Sequence, residues 1–303
     1  MTDGSGVSVV ITTIGNTTFL MKSLESVVKQ TYDNIQIIVV LDGENAECST
    51  FLNKWKADNE VELCFVKNET RLGGNESRNI GIQNAIYPWV ALLDDDDEWL
   101  PDKIEKQMIA IENSKNAANS ICFTSVQTTD RFQRKVIRPR TSYSGQEIGG
   151  YLFGTKLGRA YGFIQTSTIL ASRELFLKNP FTSGLPKHQD WDWVIRAVKL
   201  FNSEIIHVNL PLTVYNMNPA QSVGKVNRWR DSEKWLKSVE TLISKQSRES
   251  FLLNVVIGGI AKDSNIKSED KRELIKERIQ TISLRSRFTV LYLRIKLLTL
   301  TIK

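Results

Sequence analysis

Ala91-Leu92-Leu93-Asp94-Asp95-Asp96-Asp97-Glu98-Trp99-Leu100-Pro101 sets four consecutive aspartates between an apolar run and a helix opening. Trp89 to Leu93 has the length of a buried strand, and Pro101 followed by Lys103-Ile104-Glu105-Lys106-Gln107-Met108 has the pattern of a helix start. Like charges packed this closely repel one another, which at a strand end costs stability unless a hard cation neutralises them. Oxygen-only ligation suits Mg²⁺ or Mn²⁺, ions that keep positions open for phosphate oxygens, so a nucleotide diphosphate is the expected cargo. In an open α/β sheet, ligands lie outside the carboxyl ends of the strands, where these carboxylates fall. A merely solvated acidic turn is the plain alternative for such a run. The flanking strand and helix argue against it.

Working outward, Val7 to Thr12, Ile35 to Leu41 and Val61 to Val66 read as buried strands, and Phe19 to Lys29, Phe51 to Ala57 and Ser77 to Ile86 as helices. Alternation at such short intervals predicts an α/β fold whose first 110 or so residues form a parallel sheet with right-handed crossovers. Ile121 to Val126, Lys135 to Ile137, Ile205 to Val208 and Leu212 to Tyr215 read as further strands, and Asp190 to Phe201 as a helix with Trp191, Val194, Ile195, Val198 and Phe201 facing the core. The glycine-rich stretch Gly145 to Gly162 is expected to be loop. From about Trp229 onward the periodicity is helical.

The 303 residues are 41% hydrophobic and 24% charged, ordinary composition for a globular chain with one large core. Cys48, Cys64 and Cys122 lack the paired spacing of a zinc site or a disulfide framework and fit a reducing compartment. The start has no secretory pattern, and no stretch is long and uncharged enough to span a bilayer, so the expected location is the cytoplasm. The net charge of +6 is uneven: residues 226–303 carry 17 basic against 9 acidic side chains, leaving a small negative excess on residues 1–225. Two domains are expected, 1–225 and a basic helical region 226–303. Residues 284–303 interleave Arg285, Arg287, Arg294 and Lys296 with leucines and hold no acid, which suits peripheral contact with a membrane surface; packing on the catalytic domain is the alternative. No basic patch interleaved with aromatics points to nucleic acid.

Val7 to Thr13, Val39-Val40-Leu41-Asp42-Gly43, Arg71-Leu72-Gly73-Gly74-Asn75-Glu76-Ser77-Arg78-Asn79-Ile80-Gly81, Leu93 to Trp99 and His188-Gln189-Asp190-Trp191-Asp192-Trp193, in that order, resemble the inverting glycosyltransferases of family 2. The resemblance implies the GT-A fold, a mostly parallel central sheet flanked by helices, and a nucleotide-sugar donor across the strand ends. Thr12 and Thr13 would line the nucleoside pocket, Asp42 would accept a hydrogen bond from the base, and Arg71 and Arg78 would meet phosphate charge. Asp94 and Asp96 would form the family's DXD pair, with Asp96 the direct ligand of Mn²⁺ or Mg²⁺ and Asp95 at the donor. Tyr215-Asn216-Met217-Asn218 offers no histidine as a further metal ligand, and His207 reads as a strand residue. Asp190 would be the catalytic base, with Gln189 standing where the family has glutamate. Gln165, Thr166, Gln189, Trp191 and Trp193 would line the acceptor side, and Gly145 to Gly162 would close over the donor.

Plainer roles exist for each: Asp42 as a turn residue, Arg71 and Arg78 as surface ion pairs, Asp190 as a helix N-cap. The expected reaction moves a sugar, from a UDP-sugar by the family's habit, to a saccharide or lipid-linked saccharide in surface polysaccharide synthesis. A sugar nucleotidyltransferase would carry a basic glycine-rich loop after the first strand, and Ile14-Gly15-Asn16-Thr17 carries no basic residue. The non-enzymatic alternative is a membrane-associated sugar-binding protein.

Overall fold

A computed structural model describes residues 6–59, 61–130, 132–156, 159–160, 162–216, 226–287 and 292–293. The chain divides into two units.

The first unit holds residues 1–142, 164–185 and 189–217. Its strands β1 (Val7–Thr13), β2 (Ile35–Leu41), β3 (Leu63–Lys67) and β4 (Trp89–Asp94) run parallel in the order β3-β2-β1-β4. Helices α1 (Thr17–Val28), α2 (Ala46–Asn59) and α3 (Gly74–Gln83) connect them, as parallel strands require. Val and Ile dominate these strands because both faces are covered, and Val9, Val10, Ile38, Val39 and Leu92 are fully enclosed. Each such side chain contributes about 1.5–3 kcal/mol relative to its exposed state. Asn16 starts α1 by accepting the Phe19 amide.

Beyond β4 come the two-residue strand β5 (Glu98–Trp99), α4 (Lys103–Glu112), β6 (Ser120–Thr129) and β7 (Lys135–Arg138). The next helix, α5 (Ile148–Phe153), and the short pair β8 (Thr155–Lys156) and β9 (Arg159–Ala160) belong to the second unit. The first unit resumes with β10 (Ile169–Ser172), α6 (Arg173–Lys178), α7 (Gln189–Leu200) and β11 (Glu204–Val214). Among the described residues the sheet runs β3-β2-β1-β4-β10-β6-β11-β5, with β7 on β6. It is mixed: β10 is antiparallel to both β4 and β6, and β11 is one strand with a register shift between Val208 and Thr213.

The second unit holds residues 143–163, 186–188 and 218–303. Its helices are α5, α8 (Trp229–Ser238), α9 (Lys245–Phe251), α10 (Gly258–Lys262), α11 (Ser268–Gln280) and α12 (Leu284–Arg287), with a π-helical stretch Leu252–Ile257 between α9 and α10. Phe153 meets Trp235 and Phe251 edge-on in its core. The loop expected over Gly145 to Gly162 is in part this buried helix α5. Its two glycines are tolerated because the Glu147 carboxylate caps them, accepting the Gly149 and Gly150 amides at 3.0 and 2.6 Å. Most of 284–303, where membrane contact was expected, lies outside the described residues. No described helix is long and apolar enough to cross a membrane.

Candidate active site

The acidic run sits on a tight turn between β4 and β5, at the carboxyl ends of the parallel strands, with the Asp97 amide donating to the Asp94 carbonyl at 3.1 Å. From α1, the Ser23 hydroxyl donates to the Asp95 carbonyl at 2.6 Å and fixes the turn from below.

The four side chains have four different environments. Asp94 is half-buried and both its oxygens are engaged: Oδ1 with the Arg78 guanidinium at 2.7 Å, Oδ2 with the Gln165 amide at 3.0 Å. Asp95 accepts from the Thr13 hydroxyl at 2.5 Å; burial, reinforced by the Asp94 charge, raises its carboxyl to about 6. Asp97 is fully enclosed and takes bonds from Gln165 Nε2 at 2.9 Å, Ser167 Oγ at 2.6 Å and the Asn216 amide at 3.0 Å. Burial and the Asp94 and Asp96 charges hold its carboxyl well above the ordinary range. Asp96 is the exception, since no side chain or amide of another described residue donates to its carboxylate. Burial, then Asp94 and Asp95, raise it to about 7.

That donor set fits a divalent cation. A half-buried carboxylate with no donor from a neighbouring residue, repelled by two others, would gain most from a metal, and a metal of the Mg²⁺ class takes only one or two protein carboxylates. Among the described residues no three His, Cys, Asp or Glu side chains form a ready-made cage.

Arg78 joins the acidic turn to the second half of the site. Almost fully buried on α3, it holds Asp94 through Nη2 and the Gln189 side-chain oxygen Oε1 through Nη1 at 2.8 Å. It is neither a surface ion pair nor an open phosphate cradle, because both ends of its fork are occupied. Gln189 opens α7 and also donates to the Leu185 carbonyl at 2.9 Å. Asp190 follows in the first helical turn, its carboxylate accepting the Trp191 amide at 2.9 Å. Burial lifts its carboxyl to about 6, against the pull of that amide and of Arg78, with Asp94 adding to the rise. Asp190 is not the N-cap, since the helix begins one residue earlier.

On the other side, Asp42 follows β2, and its carboxylate accepts the Leu72 and Gly73 amides at 2.7 and 2.9 Å and the Asn68 side chain at 3.2 Å. It therefore holds the Arg71–Gly73 loop in place. Gly43 and Gly73 adopt φ of +96° and +89°, and a Cβ at Gly43 would stand 2.8 Å from the Arg71 Cγ. Arg71 itself is exposed, and Thr12 is half-buried at the end of β1 beside Asp94.

The residues expected on the acceptor side divide. Gln165 and Thr166 are buried; Gln165 is the hub of the acidic turn, its oxygen accepting the Ser167 amide and its nitrogen reaching Asp94 and Asp97. Trp193 is a core residue, wholly enclosed and stacked on Phe176 and Phe181, its indole donating to the Asn179 carbonyl. Only Trp191 of that pair keeps partial exposure. Ser167 and Asn216 also hold the acidic turn through Asp97, a role the sequence alone does not assign them. His207 is a strand residue, as expected, stacked on Phe123.

The sequence profile described as Glycosyl transferase family 2 matches residues 8–180. The amylovoran biosynthesis glycosyltransferase AmsB of Erwinia amylovora is 32% identical over 215 residues, 69% of each chain. An uncharacterized glycosyltransferase of Methanocaldococcus jannaschii is 30% identical over 182 residues, 59% of this chain and 60% of that one. Among solved structures, S. aureus TarS 1-349 in complex with UDP-GlcNAc superposes with a TM-score of 0.67 at 13% identity, covering 98% of this chain and 89% of that one. The longer TarS structure is spanned over only 54% of its length. The mannosyltransferase PcManGT of Pyrobaculum calidifontis, in complex with GDP-Man and Mn²⁺, gives 0.60 at 13% identity, covering 98% and 87%. Identities this low bear on the fold alone, and that fold is GT-A.

Proposed function

Because the chain belongs to glycosyl transferase family 2, we propose that it moves a sugar from a nucleotide diphosphate donor to a hydroxyl of a saccharide or lipid-linked saccharide, with inversion, in the synthesis of a surface polysaccharide. The observation that carries this reading is the Arg78 fork, which ties an acidic turn fitted for a cation to the residue preceding the half-buried Asp190 carboxylate. The reaction needs two charges handled at once, a proton leaving the acceptor and negative charge growing on the leaving group.

Asp190 is the base in this scheme. Its carboxylate takes the acceptor hydroxyl proton as that oxygen forms its bond to the anomeric carbon, and the bond from that carbon to the diphosphate oxygen breaks. A carboxyl raised to about 6 is ionised at neutral pH yet more basic than a free one. Mn²⁺ or Mg²⁺, held through Asp96 with Asp94, would supply positive charge to the diphosphate. Thr12, Thr13 and Asp42 border the nucleoside side, Arg71 is exposed toward phosphate, and Trp191 and Gln189 border the acceptor. UDP is the first nucleotide to test, given the UDP-GlcNAc complex of TarS, and GDP the second, given PcManGT. Action at the inner face of the cytoplasmic membrane, with 284–303 as a peripheral contact, completes the proposal.

The test is calorimetry of the full chain with a panel of UDP- and GDP-sugars, with and without Mn²⁺, followed by NMR of the product formed from the donor that binds. An inverted anomeric centre is expected. Retention would remove Asp190 from its role, and failure of every nucleotide sugar to bind would remove the transferase.

A further inference from the structure

Residues 130–140 read Asp-Arg-Phe-Gln-Arg-Lys-Val-Ile-Arg-Pro-Arg, five basic side chains against one acid; among the described ones, 132–134 lie in the turn and Lys135–Arg138 form the outer strand of the β6–β7 hairpin. The one acid is consumed internally. Asp130 Oδ1 accepts the Phe132 and Arg134 amides at 2.8 and 3.0 Å, and Oδ2 takes the Arg134 Nε at 2.8 Å. The turn is thus built and stiffened from its own residues. Lys135, Arg138 and Arg140 meet no carboxylate among the described residues, and Arg138 and Arg140 lie close enough to repel.

The same hairpin displays large apolar side chains. Phe132 at its tip is 61% exposed and Ile137 on its outer strand 54%. The Arg134 guanidinium lies 5.1 Å from the Phe132 ring centre. Cations interleaved with exposed apolar groups match an interface with phosphate heads outside and acyl chains beneath. A purely ionic partner would leave Phe132 and Ile137 in water, and a strand added to the β7 edge would have to accommodate Lys135 and Pro139.

We propose that the β6–β7 hairpin is a docking finger for an anionic lipid surface, with Lys135, Arg138 and Arg140 meeting headgroup phosphates and Phe132 and Ile137 entering the interface. Its position gives the contact a use. The finger grows from β6, whose Gln127 carbonyl accepts the Tyr215 amide, and the next residue, Asn216, holds Asp97 of the acidic turn. Docking here presents that edge of the site to a lipid-borne acceptor.

The experiment is flotation of the full-length chain with vesicles of phosphatidylcholine alone or with about one third phosphatidylglycerol, comparing wild type, F132S/I137S and K135E/R140E. Wild type should partition at least about tenfold better onto the anionic vesicles, and each double variant should lose about tenfold or more of that binding. Absence of wild-type binding overturns the proposal. So does wild-type binding by both variants, which would place the contact elsewhere in the chain. If F132S/I137S binds like wild type while K135E/R140E fails and soluble polyphosphate competes, the partner is a polyanion and the lipid assignment falls. Nucleotide-sugar binding by the variants shows that they are folded, and because flotation does not read sugar transfer, it stands or falls apart from the transferase proposal.

Discussion

In the β3-β2-β1-β4 half of the sheet, the enclosed strand residues are mostly Val, Ile and Leu, with Ser8, Thr13 and Gln36 as polar exceptions, whereas the β10-β6-β11-β5 half and the segments packed on it enclose Lys103, Gln107, Thr124, Ser125, Ser167, Thr168 and Thr213. Packing in the first half is mostly apolar and weakly directional, with a buried Ser8 to Gln36 hydrogen bond at 2.6 Å as the exception. In the second, Gln107 donates to the Cys122 and Thr168 carbonyls, Lys103 donates to Gln107 at 2.7 Å and stands 3.8 Å from the Trp99 ring centre, and Trp99 donates to the Ser167 carbonyl. Buried hydrogen bonds fix a geometry that dispersion alone does not. The turn that must hold four carboxylates apart is braced from the side with directional bonds.

The largest expected effect lies where the two halves meet. Asp190→Asn keeps the shape of α7 and its bond to the Trp191 amide but removes the base, so kcat should fall about 10²- to 10⁴-fold with the melting temperature nearly unchanged. In the wild type, kcat/KM should rise with pH through about 6, because the carboxylate form is the active one. Steady-state rates across pH 5 to 8 check both. Activity surviving in the Asn variant would reduce Asp190 to a helix residue.

Next in size is a paired test of the two halves themselves. Gln165→Ala removes the donor to Asp94 and Asp97 and the acceptor of the Ser167 amide, leaving a buried carboxylate short of a partner. It should cost about 2–4 kcal/mol of stability and reduce kcat/KM by tenfold or more. Val10→Ala in the apolar half should cost about 1–3 kcal/mol by leaving a cavity, yet leave kcat/KM unchanged in the folded protein. Urea unfolding and rates measured on the same samples decide the matter. Equal catalytic losses would erase the distinction between the halves.

A third, smaller effect comes from Lys103. Burial lowers its amine to about 7, against 10.5 when unfolded, so between those values the unfolded chain binds a proton that the folded one does not. Stability then rises with pH across that window, by up to about 2 kcal/mol between about pH 7 and 8.5. Lys103→Met should flatten this slope, as read from melting curves at several pH values. Parallel slopes in the two proteins would mean that the amine stays charged in the core.

The apolar half was legible in the sequence, because parallel strands buried on both faces write themselves as continuous Val and Ile runs and the helices between them are long enough to show a period. The polar half was not. Asp97 meets Gln165 across 68 residues and Asn216 across 119, and no local pattern marks such partners. The antiparallel β10 is four residues long, too short to announce its direction. Trp191 and Trp193 sit two apart on α7, and the helical spacing faces Trp191 to the core, whereas Trp193 and Asp192 are the enclosed residues and Asp192 is paired with Arg196. Helix α5 was hidden behind its two glycines, whose cap is a carboxylate outside the helix. Asp42, Arg78, Asp94 and Asp190, by contrast, stand out in the sequence because their motifs are contiguous; their partners do not, because those are made by the fold.

The smallest expected effect isolates what the acidic turn costs the protein. The Asp96 carboxyl is raised to about 7 from an unfolded value near 3.8, so the folded chain holds a proton that the unfolded chain has released between those values. Its contribution to stability is fully present below about pH 4 and is lost as pH rises through about 7. In EDTA at pH 7.5, Asp96→Asn should therefore melt a few degrees above wild type, a difference of about 1 kcal/mol once partial solvent screening is allowed for, and the gap should close near pH 4. Adding Mn²⁺ with a nucleotide should reverse the order, because only the wild type has a carboxylate for the cation to neutralise. A variant that is no more stable than wild type without metal would mean that the turn bears no uncompensated charge. The polar half would then be a brace for ordinary hydrogen bonds, with no stored repulsion for a cation to relieve.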